Sequence, residues 1–162
     1  MKRKTYKDLV AEITPHIEEC FPWDVEERME QDDDLLFLDV RETHEYDTMH
    51  IDGSLNVPRG IIETAVEWDH EETEPKLVKA RNRQVVVVCR SGSRSVFVTW
   101  TLMQIGYKYV TSLKTGLRGC NEYDLPLVDL EGNRIDPETG DRYFANKLLD
   151  YQHKPVDWIE PE

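Results

Sequence analysis

The chain is short of cysteine, of positive charge and of long apolar runs. Cysteines occur only at 20, 89 and 120, too few and odd in number for a disulfide framework. A reducing, cytoplasmic compartment is the expected setting. Neither a Cys-x-x-Cys nor a His-x-x-x-His spacing is present, so no metal site is expected. Lysine and arginine total 20 against 33 aspartates and glutamates, for a formal net charge of −13. Nucleic acid is therefore not an expected partner, because phosphate contacts need a basic surface. An anionic membrane is excluded on the same ground. No apolar run approaches the ~20 residues of a spanning helix. The basic N-terminus has no apolar stretch behind it, so no secretory leader is expected. What is present is a well-hydrated acidic surface and a 39% hydrophobic fraction spread over 162 residues. That suits one domain around one core.

The pattern along the chain alternates strands and helices. Residues 5–31 look helical, interrupted near Phe21-Pro22, with a second helix opening at Trp23 or Asp24. Leu35–Leu38 reads as a short apolar strand and Glu42–Thr48 as a short helix. Ser54–Val57 is a further strand, stopped by Pro58. Residues 60–69 and 75–81 read as two helices around an acidic stretch. Gln84–Val88 is a strand, and its four valines suit burial on both faces. Ser95–Ile105 is a helix apolar on most sides, hence buried, and Gly106 stops it as a left-handed cap. Tyr109–Leu113 is the last strand. Such alternation implies a mainly parallel sheet covered on both faces, with its site at the carboxyl ends of the strands. From Leu130 the chain turns polar and turn-rich and ends in Glu-Pro-Glu. This part reads as a tail that packs on the domain or is partly disordered.

The stretch that points to chemistry is Val-Val-Val-Val-Cys-Arg-Ser-Gly-Ser-Arg-Ser, residues 85–95. It places Cys89 at the end of a central strand and in front of a helix N-terminus. Backbone N–H groups and the helix dipole there favour an anion, including a thiolate.

Cys89-Arg90-Ser91-Gly92-Ser93-Arg94-Ser95 resembles the active-site loop of single-domain rhodanese sulfurtransferases. Asp39-Val40-Arg41-Glu42-Thr43-His44-Glu45-Tyr46 with His50-Ile51-Asp52-Gly53-Ser54-Leu55-Asn56-Val57-Pro58 is similar to the upstream signature of that family. Leu113-Lys114-Thr115-Gly116-Leu117, with Leu125-Pro126 beyond, is a weaker third match. The blocks fall in family order over roughly residues 20–128. Residues 1–19 then form an N-terminal helical segment and 129–162 a polar C-terminal extension. The resemblance implies an α/β fold, a five-stranded mainly parallel sheet flanked by helices on both faces. It also implies a ping-pong reaction in which Cys89 becomes a persulfide. The sulfur donor would be thiosulfate, a persulfide or a thiol, and the acceptor cyanide or a thiol. A sulfur-carrier protein is a further candidate partner. No metal or organic cofactor is implied.

The residues suit that chemistry. Sulfur transfer needs a thiolate, because the neutral thiol is a poor nucleophile. Arg90 and Arg94 add fixed positive charge to bind an anionic donor or tune the thiolate. Loop amides from Arg90 to Ser95 can form a nest around the sulfur, and Gly92 permits its tight curvature. Ser91, Ser93 and Ser95 offer hydroxyl groups, although Ser95 is equally explained as a helix N-cap. Asp39 and Arg41 read as a structural brace rather than as catalytic groups. His50 reads as structural or surface-exposed, Arg59 as a solvated side chain, and Cys20 as a packing residue. Cys120 stands where a tryptophan is common in the family; a small packing residue is preferred over a resolving thiol. Thr115 stands where the family often has glycine, which leaves the local backbone path open.

Other functions share these features. A phosphatase of the tyrosine-phosphatase type also uses a thiolate in an anion-cradling loop. It needs five residues between cysteine and arginine, whereas four separate Cys89 from Arg94. An arsenate reductase of related fold has a longer loop as well. A non-catalytic interaction module commonly lacks the cysteine, which this chain keeps, but the acidic extension leaves room for docking on a basic partner.

Overall fold

The computed structural model describes residues 3–160. Met1, Lys2 and the Pro161-Glu162 end of the acidic tail lie outside them. The element order is α1 (Tyr6–Ile13), β1 (Glu18–Cys20), α2 (Pro22–Gln31), β2 (Leu36–Asp39), α3 (Thr43–Thr48), β3 (Leu55–Asn56), α4 (Ile62–Ala65), α5 (Pro75–Val78), β4 (Gln84–Val88), α6 (Arg94–Gln104), β5 (Tyr109–Leu113), α7 (Gly116–Glu122) and α8 (Pro137–Phe144). The five strands form one sheet in the order β1-β5-β4-β2-β3, and every neighbouring pair is parallel.

The valine run of β4 explains the two-sided core. Side chains alternate across a strand. Val85 and Val87 join Leu38, Leu77, Val98 and Leu102 on one face, while Val86 and Val88 join Phe37, Leu113, Leu117 and Leu127 on the other. Helices α4, α5 and α6 contribute to the first cluster and α2, α7 and α8 to the second. In register, Asp39 lies opposite Val88, Val87 opposite Ser112, and Cys20 opposite Leu113. The carboxyl ends of four strands therefore finish at one level around residue 89.

Several expectations need correction. The helix expected over 5–31 is broken by β1, a three-residue edge strand. Glu18-Glu19-Cys20 carries no apolar run, so nothing in its periodicity marks a strand. It forms because the edge of β5 is open to pair with it. The second helix opens at Pro22, and the Asp24 carboxylate accepts from the Phe21 N–H at 2.7 Å, which settles its start. The helix expected over 60–69 contracts to a turn at Arg59–Ile61 and the single turn α4. Gly106 adopts φ +96° as expected of a left-handed stop, and Tyr107 N–H donates back to Leu102 C=O at 3.0 Å.

Of the two readings of the extension, packing on the domain holds as far as Ala145. Helix α8, capped by Asp136, packs on α7. Asn121 donates to Pro137 C=O at 3.0 Å and to the Asp141 carboxylate at 2.7 Å. A Cβ at Gly140 would lie 2.1 Å from Asn121 Oδ1, so only glycine permits this approach. Phe144 completes the second core cluster.

Thr115 precedes α7 with φ +69°, a left-handed conformation that strains a β-branched residue. The backbone thus keeps a path suited to glycine although the residue is threonine. Thr115→Gly is expected to stabilise the protein by about 1 kcal/mol, measured by urea denaturation; unchanged or reduced stability would show that the threonine side chain compensates for its backbone.

Candidate active site

Strand β4 delivers Cys89 to the carboxyl end of the sheet, and the chain then curls back over its sulfur. The Gly92 N–H donates to Cys89 Sγ at 3.2 Å and the Ser95 N–H at 3.4 Å. Ser95 Oγ lies 3.4 Å from the same sulfur. Ser112, on the adjacent strand β5, donates its hydroxyl to Ser95 Oγ at 2.8 Å. Ser95 Oγ accepts from the neutral Cys89 thiol; once Cys89 is a thiolate, the Ser95 proton is free to turn to the sulfur. Two amides and a hydroxyl therefore converge on one atom, an arrangement that solvates an anion. Cys89 is only 1% exposed. A buried charged sulfur needs such donors in place of the water it has lost.

The cup is held from outside by α7. Leu117 N–H donates to Cys89 C=O at 2.9 Å and Arg118 N–H to Arg90 C=O at 3.0 Å. A Cβ on Gly116 would lie 2.5 Å from Cys89 O and 2.6 Å from Ser91 N. On Gly92, at φ +92°, it would lie 2.8 Å from Thr115 N. Loop and helix thus meet backbone to backbone, and neither glycine can be replaced without displacing the other segment.

The remaining candidate residues are dispersed. Ser91 is exposed. Ser93, not Ser95, is the residue before α6, and its side chain makes no capping bond. Ser95 sits inside the first turn and serves the sulfur instead. Arg94 is gripped by Glu45 through two hydrogen bonds of 2.8 Å. Arg90 turns away to donate to Phe144 C=O at 2.7 Å and Ala145 C=O at 3.3 Å. Asp39 and Arg41 are both fully buried at the end of β2. Arg41 Nη2 donates to Asp39 Oδ2 and to Met49 C=O, each at 2.7 Å. Asn56 bridges the Asp39 and Arg41 carbonyls at 3.0 Å. His50 is buried, donates from Nδ1 to Tyr46 C=O at 2.8 Å and stacks on the Tyr46 ring. The Arg59 guanidinium lies over Phe97, 4.4 Å from the ring centre.

The other two thiols are set apart. Cys20 and Cys120 belong to one core cluster and Cys89 to the other, across the sheet. Burial pushes the Cys20 thiol up to about 11 and the Cys120 thiol up to about 12. Neither is placed to meet Cys89.

Sequence reasoning did not single out Glu45, Ser112, Gly116 or the Phe144–Ala145 carbonyls. Glu45 and Gly116 lay inside the resembling blocks, but their partners are distant in sequence. Ser112 and the two carbonyls carry no local signal.

The comparisons with known proteins bear on this geometry. The family model for the rhodanese-like domain matches residues 22–122. The chain belongs to the rhodanese-like domain family. A sulfurtransferase of Allochromatium vinosum is 32% identical over 106 residues, covering 65% of this chain and 90% of that protein. A Bacillus subtilis protein provisionally named a sulfur carrier is 30% identical over 92 residues, covering 57% of this chain but only 44% of that protein. A tRNA uridine(34) hydroxylase of Pectobacterium carotovorum is 28% identical over 134 residues, again spanning 36% of that protein. Among solved structures, a Rhodopseudomonas palustris protein of unknown function, suggested to be a tyrosine phosphatase, superposes with a TM-score of 0.68 at 21% identity, covering 76% of this chain and 93% of that one. That likeness is one of fold.

The Glu45–Arg94 pair has a pH signature. Burial raises the Glu45 carboxyl, but the Arg94 hydrogen bond and the Glu42 N–H outweigh it and hold the group below its ordinary 4.5. A lowered carboxylate stabilises the fold above its unfolded value, and that contribution disappears as pH falls through the folded one. Denaturation series between pH ~7 and ~3 should therefore show a shallower acid loss for Glu45→Gln than for the wild type; identical slopes would mean the pair does not contribute.

Proposed function

We propose that this rhodanese-like chain is a sulfurtransferase that carries a sulfane sulfur on Cys89. The observation that carries the reading is the convergence of the Gly92 N–H, the Ser95 N–H and the Ser95 hydroxyl on one buried sulfur. In the first half-reaction the Cys89 thiolate attacks the outer sulfur of a donor such as thiosulfate. A Cys89 S–S bond forms, the donor S–S bond breaks, and sulfite leaves with the electron pair. In the second, cyanide or a thiolate attacks the outer sulfur of the persulfide. Thiocyanate or a new persulfide departs, and the Cys89 thiolate is restored. No proton need be gained or lost by Cys89 in either step, so no general base is required. This fits a site in which His50 is committed to structure.

The donor groups act on whichever sulfur bears the negative charge, and a dry cup strengthens them. Arg94, fixed by Glu45, sets the positive potential at one side of the loop. The Cys89 charge adds to the effect of Glu45 in keeping this guanidinium above its ordinary value. Arg90 is bonded only to the Phe144 and Ala145 carbonyls and keeps N–H donors beyond those it gives them. Together they favour an anionic donor. Asp39 and Arg41 brace the end of β2 beside the loop. Three free thiols suit a reducing compartment. A phosphatase reading fits less well. The arginine that would clamp a phosphoryl group has both its Nη atoms engaged by Glu45.

Intact-mass measurement after thiosulfate treatment tests the reading. The wild type and Cys120→Ala are expected to gain the mass of one sulfur atom, and Cys89→Ser none. Absence of the gain in the wild type, or its persistence in Cys89→Ser, would overturn the proposal.

A further inference from the structure

Beyond the cup, a polar cleft of about 490 Å³ opens beside the loop, inside the ~300–1,000 Å³ range typical of small-molecule sites. One wall is His44 and Glu45 of α3 together with Arg90; the other wall is the end of α8 and the segment beyond it, with Tyr143, Lys147 and Gln152. The cleft adjoins the loop at both ends. Arg90 follows Cys89 directly, and Glu45 grips Arg94. The far wall is tied to the same loop, because Arg90 donates to the Phe144 and Ala145 carbonyls. None of that wall falls within residues 22–122, the part matched to the family.

The charge of the cleft is unusual for this protein. Glu45 is neutralised by Arg94. Arg90 is bonded only to neutral carbonyls. Among the described residues neither Arg90 nor Lys147 has a carboxylate within ion-pair distance. Two unneutralised cations thus share one cleft in a chain of net charge −13. Gln152 and Tyr143 line the same cleft, and their amide and hydroxyl are groups suited to peptide polar atoms.

We propose that residues 143–152 form the outer wall of the substrate cleft and that Lys147 is a specificity-determining residue binding a carboxylate of a peptide-like, low-mass thiol or persulfide. The cleft is larger than thiosulfate needs, and it is lined by residues beside Cys89 in the chain but not by Cys89 itself. A substrate that carries its carboxylate several bonds from its reactive sulfur would reach both. The identity of that substrate as a sulfur donor or acceptor rests on the sulfurtransferase reading; the carboxylate site itself does not.

The test is therefore a binding measurement that needs no sulfur transfer. S-Methylglutathione, an unreactive thioether with two carboxylates, is titrated against its dimethyl ester by calorimetry on the full chain. The wild type is expected to bind the acid at least about fivefold more tightly than the ester, the factor produced by one charge-assisted hydrogen bond of about 1 kcal/mol. Lys147→Glu should reduce that ratio to about one. Lys108→Glu makes the same charge change at the amino end of β5, away from the loop, and should keep the ratio. Equal affinity for acid and ester, no binding of either, or a ratio preserved in Lys147→Glu would overturn the proposal. A chain that binds as expected but takes up no sulfur from thiosulfate would retain the cleft assignment and lose the sulfurtransferase one.

Discussion

The contact on which the rest depends is the one between the loop after Cys89 and the first turn of α7. At Gly116 there is no room for a side chain, because the loop backbone occupies the place where a Cβ would be. The amides of Leu117 and Arg118 draw the carbonyls of Cys89 and Arg90 toward the helix. A planar peptide whose C=O is fixed outward must present its N–H the other way. Those are the N–H groups of Arg90 and Ser91; the turn that follows, with positive φ at Gly92, then brings the Gly92 and Ser95 amides onto the sulfur. The sulfur chemistry proposed for residue 89 thus rests on backbone placement more than on any titrating side chain.

Charge is arranged around the cup rather than in it. Asp39 and Arg41 are a fully buried pair, and such a pair stabilises little on balance but is costly to break, about 3–5 kcal/mol when one partner is removed. Its product is geometry. Arg41 ties the end of β2 to Met49 C=O, and Asn56 ties the same turn to β3. The Arg41 Nη1 atom finds no partner among the described residues, a price accepted for that rigidity. Glu45 in turn orients Arg94 at the edge of the loop. The strong net acidity of the chain does not reach the loop, because Asp39 and Glu45 are each matched to a base and Arg90 is bonded only to carbonyls.

The sequence made the centre of the fold legible and its margins less so. Strands β4 and β5 fell at the expected residues, β4 because its unbroken valine run suits a strand buried on both faces. The edge strand β1 was hidden, since its three residues pair through backbone and carry only one inward side chain. Helix α8 was hidden for a different reason. Its Pro, Glu, Thr and Gly residues read as a turn, and only the bond from Asn121 of α7 to Pro137, sixteen residues on, and the burial of Phe144 in the core make it a helix worth forming. Cys89, Gly92 and Ser95 were legible from local order. The destinations of Arg90 and Arg94 were not, because a guanidinium reaches across the fold to carbonyls and a carboxylate that no spacing in the loop foretells.

The most direct measurement is the rate of sulfite release from thiosulfate by Gly116→Ala, set against Gly60→Ala, whose new methyl group meets only open space. With folding of both variants verified by near-ultraviolet circular dichroism, the account predicts a loss of at least about a hundredfold for Gly116→Ala, the scale of a displacement of roughly 1 Å at a reacting centre, and a wild-type rate for Gly60→Ala. A folded Gly116→Ala protein that releases sulfite at the wild-type rate would contradict it.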